Sequence, residues 1–323
     1  WFCHVRSWAV SAHLAKYQRS KSPLPDPSEN ILALFQGNIS QLLSWTWYFL
    51  HDEIDAKSPG LSQNLRDALQ ERALDPYMER EDFWWMGFDR SSGKKMNNWN
   101  PWCNQNELLC FMLLESDLEV LARAIDKSIL SIDKYLDDVA ADGACDEGTT
   151  YWYKSTGHLL DYLENLERIT SGRLSAWDNP FIRNLGEYIL NADIADNWQV
   201  NFADGTPSRR PISYVIYRFG KASGNETMTS FAISRYKKNG ADPVGQDWTL
   251  FYQSLENLLA VRALRKAAPA EYQPHDFVLY PDTKVCFMRA GDAFLGAKGG
   301  HNFERHNHND VGSCIYFHDS KPV

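Results

Sequence analysis

The stretch GGHNFERHNHNDVGS, residues 299–313, places His301, His306, His308 and Asp310 within ten residues of a chain that has nine histidines in all. Imidazole exchanges its proton near neutral pH, and in its neutral form it is a common metal ligand. If the stretch is extended, alternate side chains share a face, and His306, His308 and Asp310 point the same way. Such a face can deliver a proton, bind a metal or do both. The alternative is a polar turn whose histidines meet water.

Two other polar islands interrupt apolar surroundings. In Met96-Asn97-Asn98-Trp99-Asn100-Pro101-Trp102, Pro101 marks a helix start, so the Asn run falls at a helix N-terminus. Free backbone N–H groups and the positive dipole end favour an anion there. Amides of Asn97, Asn98 and Asn100 add neutral donors suited to a carboxylate, and Trp99 and Trp102 offer flat faces for sugar rings. A plain capping cluster is the competing reading. The other island, Asp142–Tyr153, closes one helix and opens the next. Tyr151, Lys154, Ser155 and His158 then share a face by their i, i+3, i+4 and i+7 spacing. A nearby lysine or imidazolium lowers a phenol pKa, which suits a phenolate base; an amphipathic tyrosine at an interface is the alternative. Asp146 and Glu147 are adjacent and diverge in direction, so they are poor as a matched acid/base pair. The expectation is that Glu147 caps or orients while Asp146 faces solvent.

These islands need a frame. Apolar residues recur at three and four over most of residues 4–266, with helices expected near 5–19, 28–51, 62–79, 101–115, 117–139, 151–170, 180–193, 211–220, 226–238 and 246–266. Ser116-Asp117-Leu118-Glu119 reads as a capping box. Asn100-Pro101 and Asn179-Pro180 each place a cap before a first-turn proline, and Gly240 follows Lys237-Lys238-Asn239 as a C-terminal stop. Short connections suggest stacked helical hairpins, and no fixed-period repeat is evident. Near Pro274 the texture changes to short Val-, Phe- and Tyr-rich runs at 277–280, 284–289, 293–296 and 313–317, with turns at Pro281-Asp282 and Gly291-Asp292. The expected fold class is mainly α followed by β: a helical domain over 1–270, then the beginning of a β domain over 271–323. About fifty residues are too few for a whole sandwich, and the chain starts at Trp1, so it reads as a piece of a longer protein.

Composition narrows the classes. The 323 residues are 44% hydrophobic and 13% aromatic, ample for a large core, and the formal net charge of −9 argues against general nucleic-acid binding. No stretch is long and apolar enough to span a membrane. The six cysteines form no CxxC pair and do not decide the redox compartment. Cys103 and Cys110 share a helix face, and Cys110 reads as a buried thiol. Arg90, Lys94, Lys95, Arg209, Arg210, Lys298 and Arg305 could contact sulfate or carboxylate groups.

The three islands, in their order along the chain, resemble the heparinase II/III group of polysaccharide lyases. The similarity runs from about Trp99 to the C-terminus: GGHNFERHNHNDVGS is close to that family's GGHNxExHNHNDxG, and NNWN (97–100) and DG…EGxxY (142–151) are similar to its two helical-side motifs. The resemblance implies an incomplete α/α toroid joined to the start of an antiparallel β-sandwich. It implies β-elimination on a uronate-containing, anionic polysaccharide, in a periplasmic or secreted bacterial setting. Asn98 would neutralise the uronate carboxylate, Tyr151 act as base and acid, and His306 assist. Asn97, Trp99, Asn100, Trp102, Glu147, His158 and Arg305 would line the substrate. His308 would ligate a structural zinc whose other ligands are expected beyond Val323. Some members have His where Trp99 stands, so neutralisation leans on Asn here. A glycoside hydrolase using Asp146 or Glu147 and a non-catalytic glycan binder are the other readings.

Overall fold

The computed structural model describes residues 1–26, 28–91, 93, 95–240, 251–304 and 306–323. The chain is mainly helical and ends in an antiparallel sheet. It divides into two compact units, and the division does not follow the change from helix to strand near residue 271. One unit is Trp1–Asp138, Asp161–Arg173 and Leu250–Tyr252; the other is Val139–Leu160, Leu174–Thr249 and Gln253–Val323.

The first unit contains α1 (Ser11–Tyr17), α2 (Leu34–Lys57), α3 (Leu61–Leu69), α4 (Asp75–Glu79), α5 (Trp99–Leu114) and α6 (Leu118–Asp138). Its core gathers Leu32, Leu69, Leu74, Trp85, Met86 and Phe111, all essentially inaccessible. α5 packs closely along α2 at Gly37, where a Cβ would lie 2.9 Å from Asn106 Nδ2 and would displace that side chain. The seam between these helices is polar as well as buried. Gln41 Nε2 donates to Asn106 Oδ1 at 2.6 Å, and Trp102 Nε1 donates to Asn38 Oδ1 at 2.8 Å.

Several boundaries differ from expectation for local reasons. The helix expected over 5–19 is only Ser11–Tyr17 after a 3-10 turn at Phe2–His4; Ser7 Oγ accepts from the Ala9 N–H, a local bond that competes with helix. The helix expected from 28 begins at Leu34, where Gln36 Oε1 reaches back to the Ala33 N–H. The stretch 62–79 carries a π-helical turn at Gln70–Leu74, in which Asp75 N–H donates to the Gln70 carbonyl just before Pro76. Ser116 does not cap α6: Asp117 Oδ1 accepts from Glu119 N–H at 2.8 Å and from Val120 N–H at 3.4 Å. Likewise α5 starts at Trp99, with Asn98 rather than Asn100 at its N-cap position.

α7 (Thr149–Ile169) runs through the division at residue 160. The second unit adds α8 (Pro180–Asn191), a hairpin β1 (Asp193–Ala195) with β2 (Trp198–Gln199), α9 (Ser213–Ala222), α10 (Glu226–Asn239) and α11 (Phe251–Lys266), most of which lies here. The beginning of the helix expected over 246–266 falls outside the described residues. Asn179 Oδ1 accepts from Phe181 N–H ahead of Pro180, and the Gly240 N–H closes α10 on the Tyr236 carbonyl. β3 (Phe277–Tyr280), β4 (Val285–Ala290), β5 (Ala293–Lys298), β6 (Cys314–His318) and β7 (Lys321–Pro322) form an antiparallel meander in chain order.

The register puts Val285, Phe287, Phe294 and Phe317 on a buried side, while Phe277, Leu279, Met288 and Tyr316 are exposed on the other. Within this unit Asp142 Oδ2 accepts from the N–H groups of Asp282 and Thr283. The Arg289 guanidinium donates to the carbonyls of Asn191 and Asp193. These bonds seat the β3–β4 hairpin beside the end of α8. Among the described residues no helix is long and apolar enough to cross a membrane.

Candidate active site

The loop before α7 and the loop after β5 bring three of the singled-out residues together in the second unit. Gly148 allows the first of these turns. Its φ is +93°, and a Cβ there would come within 2.5 Å of the Phe202 carbonyl and 2.7 Å of the Gly205 N. Loop 200–206 therefore lies directly on the start of α7. Thr149 Oγ1 donates to the Val200 carbonyl, and the Asp204 N–H donates to the Glu147 carbonyl.

The histidine stretch is a loop between β5 and β6, not an extended strand. His306 and Asn309 have φ of 53° and 57°, left-handed values that few non-glycine residues adopt and that concentrate at functional sites. The expected alternation of His306, His308 and Asp310 on one strand face is thereby replaced by a gathering around carboxylates. His306 Nε2 lies 3.2 Å from Glu147 Oε2, and its Nδ1 lies 2.8 Å from Asp204 Oδ2. His308 Nε2 lies 2.5 Å from Asp204 Oδ1. Asp310 instead pairs with buried Lys298 at 2.6 Å and accepts from the Ala203 N–H at 2.8 Å, so Lys298 is an internal partner rather than an anion contact.

The Tyr151 ring lies against His306, centroids 3.9 Å apart, and Lys154 Nζ is 4.8 Å from the Tyr151 centroid. Burial of its surroundings lowers the His306 pKa, but hydrogen bonds and charge from Glu147, then Asp204, outweigh this and raise it overall. The protonated ring, with a carboxylate oxygen close to each nitrogen, is the form this pocket favours. Tyr151 corrects an expectation: its pKa is raised, first by burial and then by Asp204 and Glu147. Lys154 and His306 do not turn it into a resting phenolate.

Other singled-out residues have different surroundings. Glu147 is buried while Asp146 is exposed. His158 is buried, and burial followed by Lys154 pulls its pKa down to about 3, leaving a neutral ring near Gln253. In the first unit, Asn98 is buried at the head of α5, and Asn97 Oδ1 accepts from the Trp99 N–H. Asn100 is wholly inaccessible, its Nδ2 donating to the Trp85 and Ser131 carbonyls and to Ser131 Oγ. Trp102 is buried; Trp99 is half-buried among His13, Tyr17 and Trp84. These contacts suit packing better than the sugar platforms expected of the two Trp. Arg305 and Lys94 lie outside the described residues.

Sequence reasoning passed over Asp204. It sits in Asp204-Gly205, an ordinary turn dipeptide, with no neighbouring titratable cluster to mark it. The zinc expected at His308 finds no completed ligand set: among the described residues no group of three or more His, Cys, Asp or Glu side chains is arranged to hold a metal. No family model matches the chain, and no curated protein does either.

Proposed function

We propose that the protein is a polysaccharide lyase that cleaves a uronate-containing polysaccharide by β-elimination. The observation that carries this reading is Tyr151 stacked at 3.9 Å on an imidazole clamped between Glu147 and Asp204. In elimination the C5 proton leaves, the C4–oxygen bond breaks, and a C4–C5 double bond remains in the uronate. The phenol first releases its resting proton to solvent, takes the C5 proton as phenolate, and then gives that proton to the departing oxygen. Taking up the C5 proton requires the phenolate, which the neighbouring carboxylates disfavour. A protonated His306 against the ring offsets that charge at the point where it develops. Tyr151 thus exchanges the protons and His306 assists.

The resemblance supplies the remaining parts of the proposal. Asn98 is the amide assigned to the substrate carboxylate, whose charge must be spread for the C5 proton to become acidic. The helical part is read as belonging to an α/α toroid and the meander as one sheet of a β-sandwich, in a periplasmic or secreted enzyme. His308 would serve a structural zinc through Nδ1, since its Nε2 already meets Asp204.

The test is incubation of the protein with heparan sulfate, hyaluronan, chondroitin, alginate and ulvan while the ultraviolet absorbance of an unsaturated uronate is followed. Absorbance rising with new chain ends supports elimination. New reducing ends without absorbance would mean hydrolysis, and binding without new ends a glycan-binding protein.

A further inference from the structure

We propose that Asp204 is the positioning residue of this site, its carboxylate bridging the His306 and His308 rings so that His306 is held against Tyr151. Each oxygen serves one ring: Oδ2 meets His306 Nδ1 at 2.8 Å and Oδ1 meets His308 Nε2 at 2.5 Å. With Glu147 Oε2 3.2 Å from the opposite nitrogen, a turn of the His306 ring would carry a nitrogen away from one of its two carboxylates. A ring pinned at two points keeps its plane relative to the phenol.

The carboxylate is itself held from several directions. Loop 200–206 lies on Gly148, where no side chain fits. The Asp204 N–H is bonded to the Glu147 carbonyl at 3.3 Å, so the two carboxylates that flank His306 are joined through one backbone bond. Thr150 Oγ1 and Thr206 Oγ1 meet at 3.0 Å on the far side of the loop. Next door, Asp310 ties the Ala203 N–H to buried Lys298, so the histidine loop and the Asp204 loop are joined at two neighbouring points. Ala203 has φ of 51°, a left-handed value that this bonding keeps in place. Asp204 acts through His306 and need not touch substrate.

The kinetic arm of the test rests on the lyase reading; the spectroscopic arm rests on geometry alone. In the folded chain, the His306 ring protons should be shifted upfield in the NMR spectrum by the Tyr151 ring current, with the signals assigned by their loss in His306→Gln. In Asp204→Ala that displacement should collapse. In Asp204→Glu, which keeps a carboxylate, it should return in part. With an active substrate, Asp204→Ala should lower kcat by about a hundredfold, as a misplacement near 1 Å does, with KM within about twofold and partial recovery in Asp204→Glu. Asp204→Asn, nearly the same shape, serves if the Ala variant does not fold: it offers a single carbonyl oxygen, so one ring loses its acceptor. An undisturbed His306 displacement in the folded variants would overturn the proposal. Loss of the displacement in a protein that releases no unsaturated product from any uronate would uphold the positioning role and remove the lyase reading.

Discussion

The phenol of Tyr151 and the imidazole of His306 stack with their planes 32° apart and their centres separated by 3.9 Å, although 155 positions separate them in the chain. The pair joins two opposing electrostatic effects. Glu147 and Asp204 make the Tyr151 proton harder to lose and the His306 proton harder to lose as well. These shifts favour a neutral phenol beside a charged ring, and the charge of the ring eases proton transfer from the phenol.

Replacing Tyr151 by Phe removes the hydroxyl and leaves the ring stack. Turnover should fall by about 10²–10⁴-fold, the usual contribution of a positioned acid or base, while substrate binding and the unfolding temperature change little. Absorbance assays beside binding calorimetry separate the two quantities. Near-normal turnover would move the proton-exchanging group elsewhere.

Asn100 and Asn98 lie two residues apart and should respond differently. Asn100→Ala strands the Trp85 carbonyl that its amide now serves, at a cost of about 1–3 kcal/mol for a buried polar group left without its partner. Denaturant unfolding should show that loss. Asn98→Ala, if Asn98 meets the substrate carboxylate, should depress kcat far more than stability. Equal stability losses with equal activity would place both in the scaffold.

The strand pattern was readable because each run alternates and ends in turn residues, so Phe277–Tyr280 appears where Val- and Tyr-rich sequence predicts it. Helix ends were readable where one side chain does the capping, as at Asn179, and were misplaced where neighbours compete, as Asp117 does with Ser116. The candidate site was legible only in part. Tyr151, Glu147 and His306 stand in motifs, but Asp204 enters through a loop whose seat depends on the absence of a Cβ at Gly148. Spacing along the chain does not encode that kind of contact. The period-two spacing of the histidine stretch is compatible with a strand or a polar turn, and the left-handed backbone at His306 and Asn309 decides for a loop.

The two sides of the meander should differ sharply under truncation. Phe287 is fully buried, whereas Phe277 is 58% exposed. Phe287→Ala should cost about 3–5 kcal/mol, as large-to-small changes in packed cores do. Phe277→Ala should stay within about 0.5 kcal/mol, the usual range for surface changes. Chemical denaturation of the two variants checks this, and a large loss at Phe277 would show that its side of the sheet is covered in solution.

Glu107 lies in the polar seam of α5 with no accessible surface, and burial pushes its pKa from 4.5 up to about 8. The one amide able to oppose this, on Gln36, has its N–H groups directed at Ser40 Oγ and the Arg72 carbonyl. Among the described residues, neither Glu107 oxygen has a hydrogen-bond partner of good geometry. Folding therefore takes up a proton over the window between pH 4.5 and about 8. The folded chain holds one more proton than the unfolded chain there, so stability declines as pH rises, by about 1.4 kcal/mol per unit for this one group. Below that window the term vanishes, and above it the penalty is constant. Glu107→Gln carries no such proton, so it should flatten the slope and make the protein more stable than the parent at pH 8, with the two converging near pH 4.5. Thermal unfolding across this range checks the sign, and parallel curves would mean that Glu107 is ionised in the folded chain.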